Sequence, residues 1–347
     1  MEDLDALYRV LRRQPQSSLI WTAGDSSLDN KYWFNDERQA VPGSGYDEVL
    51  HPPVCNADVT YWLNYILKER RQKTVAPATT KMPVAAINTA VEATTLNSRT
   101  WRLNPQDEFL RDKMEPDDIL IVSVGGNDVA MAPAPCTICS VLFLTNCIPE
   151  ICLDRACSCG TVPFDDYCCG CGSSLGSCVC AFPSCFGYMV HLFGTRVQKY
   201  VEKLTVKTRP QKIFVLMIYF PDENPTPSWA GPALSCLGYN RTPQKLQTLI
   251  RRAYVEATSN IRIDGSQVVP VPLFQVLDGT NPSDYVARVE PSSQGGRKMA
   301  EFLIDLVLDQ NQTYQTSYGS TTHTSSLSHC GNRFGEPVGP PYMDGRD

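Results

Sequence analysis

The chain has 347 residues, of which 42% are hydrophobic and 20% are charged, and its formal net charge is −6 at pH 7. These values are typical of a globular protein, and without a basic stripe neither nucleic acid nor an anionic membrane surface is an expected partner. The N-terminal sequence MEDLDALYRVLRRQ has acids where a signal peptide has basic residues, and no run reaches the roughly 18 apolar residues of a membrane helix. We therefore expect a cytoplasmic protein with no membrane span.

Apolar runs alternate with amphipathic patterns along most of the chain. The runs predict five buried parallel strands, at residues 19–22, 84–87, 119–124, 213–220 and 268–274. Helical patterns lie between them, one of them behind the cap residue Asp58, and a last helix follows Gly295-Gly296. Since such crossovers are right-handed, the order predicts an α/β fold: a three-layer α/β/α sandwich with a five-stranded parallel sheet in flavodoxin-like order.

Polar residues follow three of these strands. Ser26 stands in the motif GDS, Ala90 ends the motif NTA, and Asn127 stands in the motif GGND. Because the carboxyl ends of parallel strands meet at one edge of a sheet, we expect these three residues to converge on one pocket. A serine hydroxyl can attack a carbonyl there, while main-chain N–H groups and an amide hold the developing oxyanion.

The motif GDS after the first strand, and GGND after a third strand introduced by MEPDDILIV, resemble blocks I and III of the SGNH (GDSL-type) hydrolases. The resemblance covers about residues 17–130 and 187–309. It implies that Ser26 is the nucleophile and that Asn127 is an oxyanion donor. It also places Ala90, through its main-chain N–H, at the position of the family's block II glycine. No cofactor is required by this chemistry.

The family's histidine block is where the chain departs from the pattern. Aligned on the last helix, Glu290 takes the place of the histidine in His-Pro-Ser, and Ala287 takes the place of the aspartate. An alignment on DGTNP puts Asn281 at the histidine instead. We prefer the first alignment because its spacing to the glycine pair before the last helix fits the family. Neither alignment supplies a histidine.

The identity of the general base is therefore undecided. Four histidines lie elsewhere in the sequence, two of them in the C-terminal tail: His51, His191, His323 and His329. We expect His191 to be a packed or surface residue. Glu290 could act as the base only if burial raised its pKa. We expect instead that Glu290 is an ordinary ion-pair partner of Arg288 or Arg297.

Twelve of the 15 cysteines lie between Cys136 and Cys185. This insertion, residues 133–186, interrupts a domain of residues 1–309, and a Ser/Thr/Gly/Pro-rich tail follows at 310–347. Zinc or free thiols are slightly favoured over disulfides, and lipidation is a third alternative. We predict a compact, cross-linked lid over Ser26. The candidate metal or disulfide cysteines are Cys136, Cys139, Cys157, Cys159, Cys168, Cys169, Cys171, Cys178 and Cys180.

Two functions remain open at this point. The missing histidine favours an SGNH-type protein that is catalytically impaired and serves a binding or structural role, with the insertion and the tail contacting a protein partner or a larger assembly. The intact Ser26 and Asn127 favour an active carboxylic-ester hydrolase, with a small acyl ester as substrate and Glu290 as an unconventional base.

Overall fold

The computed structural model describes residues 1–13, 17–33, 36–73, 82–130, 135–153 and 186–309. Its centre is a five-stranded sheet in which every pair of neighbouring strands is parallel. The strands are β1 Leu19–Gly24, β2 Ala85–Asn88, β3 Ile119–Ser123, β4 Lys212–Met217 and β5 Gln267–Pro272. Their order is β2-β1-β3-β4-β5, the flavodoxin-like order that the resemblance to SGNH hydrolases implies. The predicted fold class is confirmed.

Helices cover both faces of this sheet. Eight helices of the described residues are numbered here: α1 Glu2–Leu11, α2 Val59–Lys73, α3 Pro105–Lys113, α4 Pro135–Cys147, α5 Phe186–Val190, α6 Val197–Leu204, α7 Pro243–Glu256 and α8 Ser293–Leu308. A π-helical turn, His191–Arg196, joins α5 to α6. Further short helices are Tyr46–Val49, Gly126–Ala130, Glu150–Leu153 and Gly231–Cys236, and single turns of 3-10 helix are Asn97–Arg99, Thr258–Asn260, Leu273–Gln275 and Pro282–Asp284. Two small antiparallel pairs, Glu37–Gln39 with Val54–Asn56 and Tyr285–Val286 with Glu290–Pro291, complete the fold.

The sheet separates two hydrophobic cores. Ile20 of β1 faces the core formed with α2 and α8, whereas the next residue, Trp21, faces the core formed with α6 and α7. Side chains alternate between the faces of a strand, so a strand covered on both sides must be apolar throughout. All six residues of β1 are buried, which explains why its sequence is a continuous apolar run.

The described part of the predicted insertion is helical. Val141 and Leu144 of α4, and Leu153 beyond it, are buried in the main hydrophobic core. The Lys245 ammonium donates to the Thr145 carbonyl at 2.9 Å and ties α4 to α7. The start of the insertion is thus part of the domain.

Most of the candidate metal ligands fall on residues 154–185, outside the described part of the chain. For the residues that the structure does describe, no group of three or more His, Cys, Asp or Glu side chains could hold a metal ion. The lid over Ser26 therefore stays a prediction, and so does the chemistry of its cysteines. The tail at 310–347 also lies outside the described residues. None of the helices described is long and apolar enough to cross a membrane.

Candidate active site

A glycine at the end of β1 brings the serine turn close to β3. Gly24 has φ +139°, and a Cβ at this position would lie 1.7 Å from the Ser123 carbonyl oxygen. Only glycine adopts this conformation at such a close approach. The next main-chain N–H, that of Asp25, donates to the same Ser123 carbonyl at 3.1 Å. The turn then places Ser26 at the carboxyl edge of the sheet, where Ser26 is only 4% exposed.

The Ser26 hydroxyl donates a hydrogen bond to Oε1 of Glu290 at 3.2 Å. Glu290 is 3% exposed, and its Oε2 has no hydrogen-bond partner within the described residues. Burial above all, together with the nearby Asp25 and Glu92 carboxyls, raises the pKa of Glu290 to about 8, although the hydrogen bond from Ser26 works in the opposite direction. A carboxyl group with this pKa can accept a proton from a serine near neutral pH.

A strained hairpin holds Glu290 in place. Between its two short strands, Ala287 and Arg288 have φ values of 51° and 70°, a region that costs a non-glycine residue on the order of 1–3 kcal/mol. The Arg288 guanidinium stabilises this conformation by donating to the Asp222 carbonyl, at 3.2 and 3.0 Å. The Tyr219 hydroxyl donates to the Val289 carbonyl at 2.7 Å.

The expected ion pair of Glu290 with Arg288 or Arg297 is wrong. Arg288 is directed to the Asp222 carbonyl and to the Asn240 side chain. Arg297 pairs instead with Glu301, one turn further along α8, with 3.0 Å between Nε and Oε1. Since no cation of the described residues pairs with it, the buried Glu290 carboxyl keeps its raised pKa.

A second buried carboxyl group, Asp25, adjoins the serine in sequence. Its Oδ1 accepts from the Ser27 main-chain N–H at 3.1 Å and from the Ser27 hydroxyl at 2.7 Å, while its Oδ2 has no partner among the described residues. Burial raises the pKa of Asp25 to about 6, against the lowering effect of the Ser27 hydrogen bonds and the Arg99 charge. Ser26 thus shares one cavity with two carboxyl groups whose burial disfavours their ionised form.

The GGND motif anchors a neighbouring loop. Asn127 donates from Nδ2 to the Thr94 carbonyl at 3.0 Å. The Asp128 carboxylate accepts from the main-chain N–H groups of Leu96 and Asn97, at 2.7 and 3.1 Å. Burial raises the pKa of Asp128 against these bonds. Since an amide NH₂ carries two hydrogens, one hydrogen of Asn127 remains for a ligand oxygen.

Ala90 lies apart from the serine pocket. Its main-chain N–H donates to Oδ1 of Asn88 at 2.9 Å, and Ala90 lines a neighbouring pocket with Asp29 and Lys31. The main-chain N–H of Ser26, in contrast, has no acceptor in the described part of the chain. Among the described residues near the serine, the Ser26 main-chain N–H and the second amide hydrogen of Asn127 are therefore left without an acceptor.

The Ser26 cavity, as we call the pocket at this edge, has a volume of about 90 Å³. Ser26, Asn127 and Glu290 all line it, so the structure brings together three of the four predicted site residues. The two histidines within the described residues lie elsewhere, His51 on the surface and His191 buried in the π-helical turn. The remaining wall is mostly apolar: Val129, Ala130, Met189, Ile218, Tyr219, Pro221, Trp229, Ala230, Ala233, Leu234, Leu237, Leu246, Ile250 and Val289.

Reasoning from the sequence missed Tyr219 and the contact of Asn88 with Ala90, although a signal for each is present. Tyr219, which supports the strand of Glu290, follows β4 as the other polar site residues follow their strands, so the same rule about strand ends could have identified it. The Asn88 contact to Ala90 is a local Asx turn, whose signal is an asparagine two residues before the N–H that it binds.

No family model matches this sequence, and no curated protein matches it. Solved structures that resemble it include a lipase from a goat rumen metagenome, with a TM-score of 0.42, 14% identity, and 85% of this chain and 99% of that chain covered. An extracellular lipase from Streptomyces rimosus has a TM-score of 0.41 and 9% identity, with 83% of this chain and 99% of that chain covered. An acetylxylan esterase from Geobacillus stearothermophilus has a TM-score of 0.39 and 12% identity, with 86% of this chain and 100% of that chain covered. At these identities and TM-scores the likeness says nothing about activity, which has to be argued from the chain's own residues.

Proposed function

We propose that this chain is a carboxylic-ester hydrolase in which Ser26 attacks the acyl carbon and Glu290 is the general base. The observation that carries this proposal is the hydrogen bond from the Ser26 hydroxyl to Glu290 at 3.2 Å. The Ser26 hydroxyl lies within hydrogen-bond reach of Oε1, and the pKa of the Glu290 carboxyl is about 8. General bases work best when their pKa lies near the operating pH.

The reaction follows from these contacts. As the Ser26 oxygen bonds to the acyl carbon, its proton passes to Glu290 Oε1, and the carbonyl oxygen becomes an oxyanion. The Ser26 N–H and the second amide hydrogen of Asn127 stabilise that oxyanion. Glu290 then returns the proton to the leaving alcohol oxygen, and the C–O bond breaks to give an acyl-serine. Water attacks the acyl-serine as Glu290 takes its proton, and the proton ends on the Ser26 oxygen as the acid is released.

The pKa of the base sets the pH dependence. Only ionised Glu290 can accept the proton, and with a pKa of about 8 roughly one molecule in ten is ionised at pH 7. Activity should therefore rise about tenfold per pH unit below pH 8 and level off above it. At neutral pH the enzyme would be slow, which is what the absence of a histidine led us to expect.

A binding or structural role without catalysis is the second candidate. It is favoured because no histidine is among the described residues that line the Ser26 cavity. A protein partner would then contact the insertion and the tail.

Hydrolysis of a p-nitrophenyl ester between pH 6 and pH 9.5 distinguishes the two candidates. For an enzyme, Ser26→Ala and Glu290→Gln should abolish turnover above the spontaneous background at every pH. Ser235→Ala, a change at an exposed serine, should leave it unchanged. If the wild-type protein gives only the spontaneous rate, or if Ser26→Ala matches the wild type, the enzyme proposal fails.

A further inference from the structure

A row of three aromatic rings leads away from the Ser26 cavity. Trp229 lines the cavity, and its ring stacks on that of Trp33, with centroids 5.4 Å apart and planes 23° apart. The Tyr32 ring adjoins Trp33, with centroids 5.1 Å apart and planes 84° apart. Both tryptophans are half-buried, and Tyr32 is 74% exposed. These three side chains, which we call the aromatic row, therefore run from the wall of the cavity to the surface.

The segment that carries Tyr32 and Trp33 is tied to the strand of the proposed base. Nδ2 of Asn30 donates to the Pro291 carbonyl, and the Tyr32 main-chain N–H donates to Oε2 of Glu92 at 3.0 Å. The aromatic row is thus held in a defined place relative to the reacting groups, as a part of a binding site has to be.

The size of the Ser26 cavity limits how much of an ester it can enclose. Its volume of about 90 Å³ corresponds to about six to nine waters at roughly 10–15 Å³ each. A short acyl chain fits this space, whereas pockets that enclose a whole drug-sized molecule have about 300–1,000 Å³. With the acyl group inside, the alcohol half of a larger ester has to lie outside the cavity, and the aromatic row continues outward from its wall.

The charges next to the exposed end of the aromatic row already have partners. Nζ of Lys31 pairs with Oδ2 of Asp29, and the Glu92 carboxylate accepts from the Tyr32 main-chain N–H. What the row offers a ligand is therefore ring surface. Aromatic rings attract one another in offset or edge-to-face contacts at centroid distances of about 4.5–7 Å, and an uncharged ring makes such a contact without the cost of desolvating a charge.

We infer that the aromatic row binds the alcohol half of the ester and selects an uncharged aromatic ring there, while the Ser26 cavity takes a short acyl group. This substrate class rests on the proposed function. A saturated ring of similar size covers the same apolar surface but lacks the π-electrons of an aromatic contact, so a comparison of the two rings separates aromatic selection from hydrophobic burial.

The test compares 3-phenylpropyl acetate with 3-cyclohexylpropyl acetate, which share the acyl group and the linker. Their dissociation constants are measured by calorimetry with the Ser26→Ala variant, so that no turnover is needed. The ratio of the cyclohexyl to the phenyl constant is then compared with the same ratio after Trp33→Leu, which removes the central ring of the row. The ratio should be about 2- to 12-fold higher with the row intact, the gain expected from one aromatic contact.

Two further variants in the same Ser26→Ala background complete the test. Tyr32→Leu changes an exposed side chain, so it should keep the fold and also lower the ratio, and it decides the outcome if Trp33→Leu does not fold. Trp101→Leu, at a tryptophan that is 78% exposed, should leave the ratio unchanged.

A ratio that stays the same in a folded Trp33→Leu or Tyr32→Leu variant overturns the inference, because the phenyl ring would then bind elsewhere, and so does a lack of binding by both esters. If the ratio falls as expected but the wild-type protein hydrolyses neither ester, the aromatic site stands and the hydrolase proposal fails. If both esters are hydrolysed and the ratio does not fall, the hydrolase proposal stands and the aromatic site fails.

Discussion

Replacing Glu290 with glutamine should make the protein more stable at alkaline pH while it removes activity. The wild-type carboxyl is buried, and within the described part of the chain no cation pairs with it, so folding favours its protonated form. Its pKa is about 8 in the folded protein, against 4.5 as the ordinary value. The folded state therefore binds more protons than the unfolded state between these pH values, and wild-type stability falls as the pH rises from about 4.5 to about 8.

The size of the effect follows from the same shift. At 1.36 kcal/mol per pKa unit, a rise from 4.5 to about 8 corresponds to at most about 5 kcal/mol of unfolding free energy. Relaxation and water entry around the ionised carboxylate reduce this cost, so we expect about 1–3 kcal/mol. Glutamine is uncharged at every pH, so Glu290→Gln avoids this cost of burying a charge. Near pH 4.5 the carboxyl is protonated in the folded state, and the difference should nearly vanish.

Urea unfolding followed by tryptophan fluorescence, at pH 5 and at pH 9, measures this directly. The matched control is Glu301→Gln, which removes a half-exposed carboxylate paired with Arg297 on α8. Such surface pairs contribute about 0–1 kcal/mol, and we expect no gain in stability for this variant at pH 9. If Glu290→Gln is no more stable than the wild type at pH 9, or gains equally at pH 5, the carboxyl is not destabilised by burial and its role as a base near pH 8 is refuted.

Three further changes test the surroundings of the serine. Asp25→Asn removes a negative neighbour that raises the pKa of Glu290, so the acid limb of the pH–rate profile should move to lower pH. If the limb does not move, the Asp25 charge does not act on Glu290. Asn127→Ala should lower kcat by about 10²–10³-fold with a smaller change in KM, and an equal effect on both would point to a binding role. Gly24→Ala places a Cβ 1.7 Å from a carbonyl oxygen and should prevent stable folding by circular dichroism, whereas Gly231→Ala, with 3.6 Å to its nearest neighbour, should fold normally.

The sheet could be predicted because helices cover both of its faces, and each strand is then a continuous apolar run. The predicted end of a strand was less accurate where apolar residues line a pocket and not the sheet. The fourth strand was predicted to extend to residue 220, but β4 ends at Met217. Ile218 and Tyr219 leave the ladder to line the Ser26 cavity. Hydrophobicity alone cannot separate a residue in a sheet from one in an adjoining pocket.

The candidate site shows a similar division. Ser26, Asn127 and Glu290 could be placed by their positions after strands and before the last helix, which are local features of the sequence. The partners of Arg288 could not, because its guanidinium binds a carbonyl 66 residues away. Its left-handed backbone also has no sequence signal, since glycine and asparagine are the residues that normally mark such positions. Contacts between distant segments decide whether a carboxylate finds a cation or stays unpaired.

A carboxyl base and an imidazole base respond to substrate in opposite directions, which gives a last prediction. An apolar acyl group bound in the Ser26 cavity would lie beside Glu290, which lines this cavity, and would shield the carboxyl from solvent. Desolvation disfavours the charged form, so it raises the pKa of a carboxyl and lowers that of an imidazole. Because kcat/KM reports the free enzyme and kcat reports the substrate complex, the acid limb of kcat should lie at higher pH than that of kcat/KM. The separation should be larger for a hexanoyl ester than for an acetyl ester. A kcat limb at equal or lower pH would exclude Glu290 as the base.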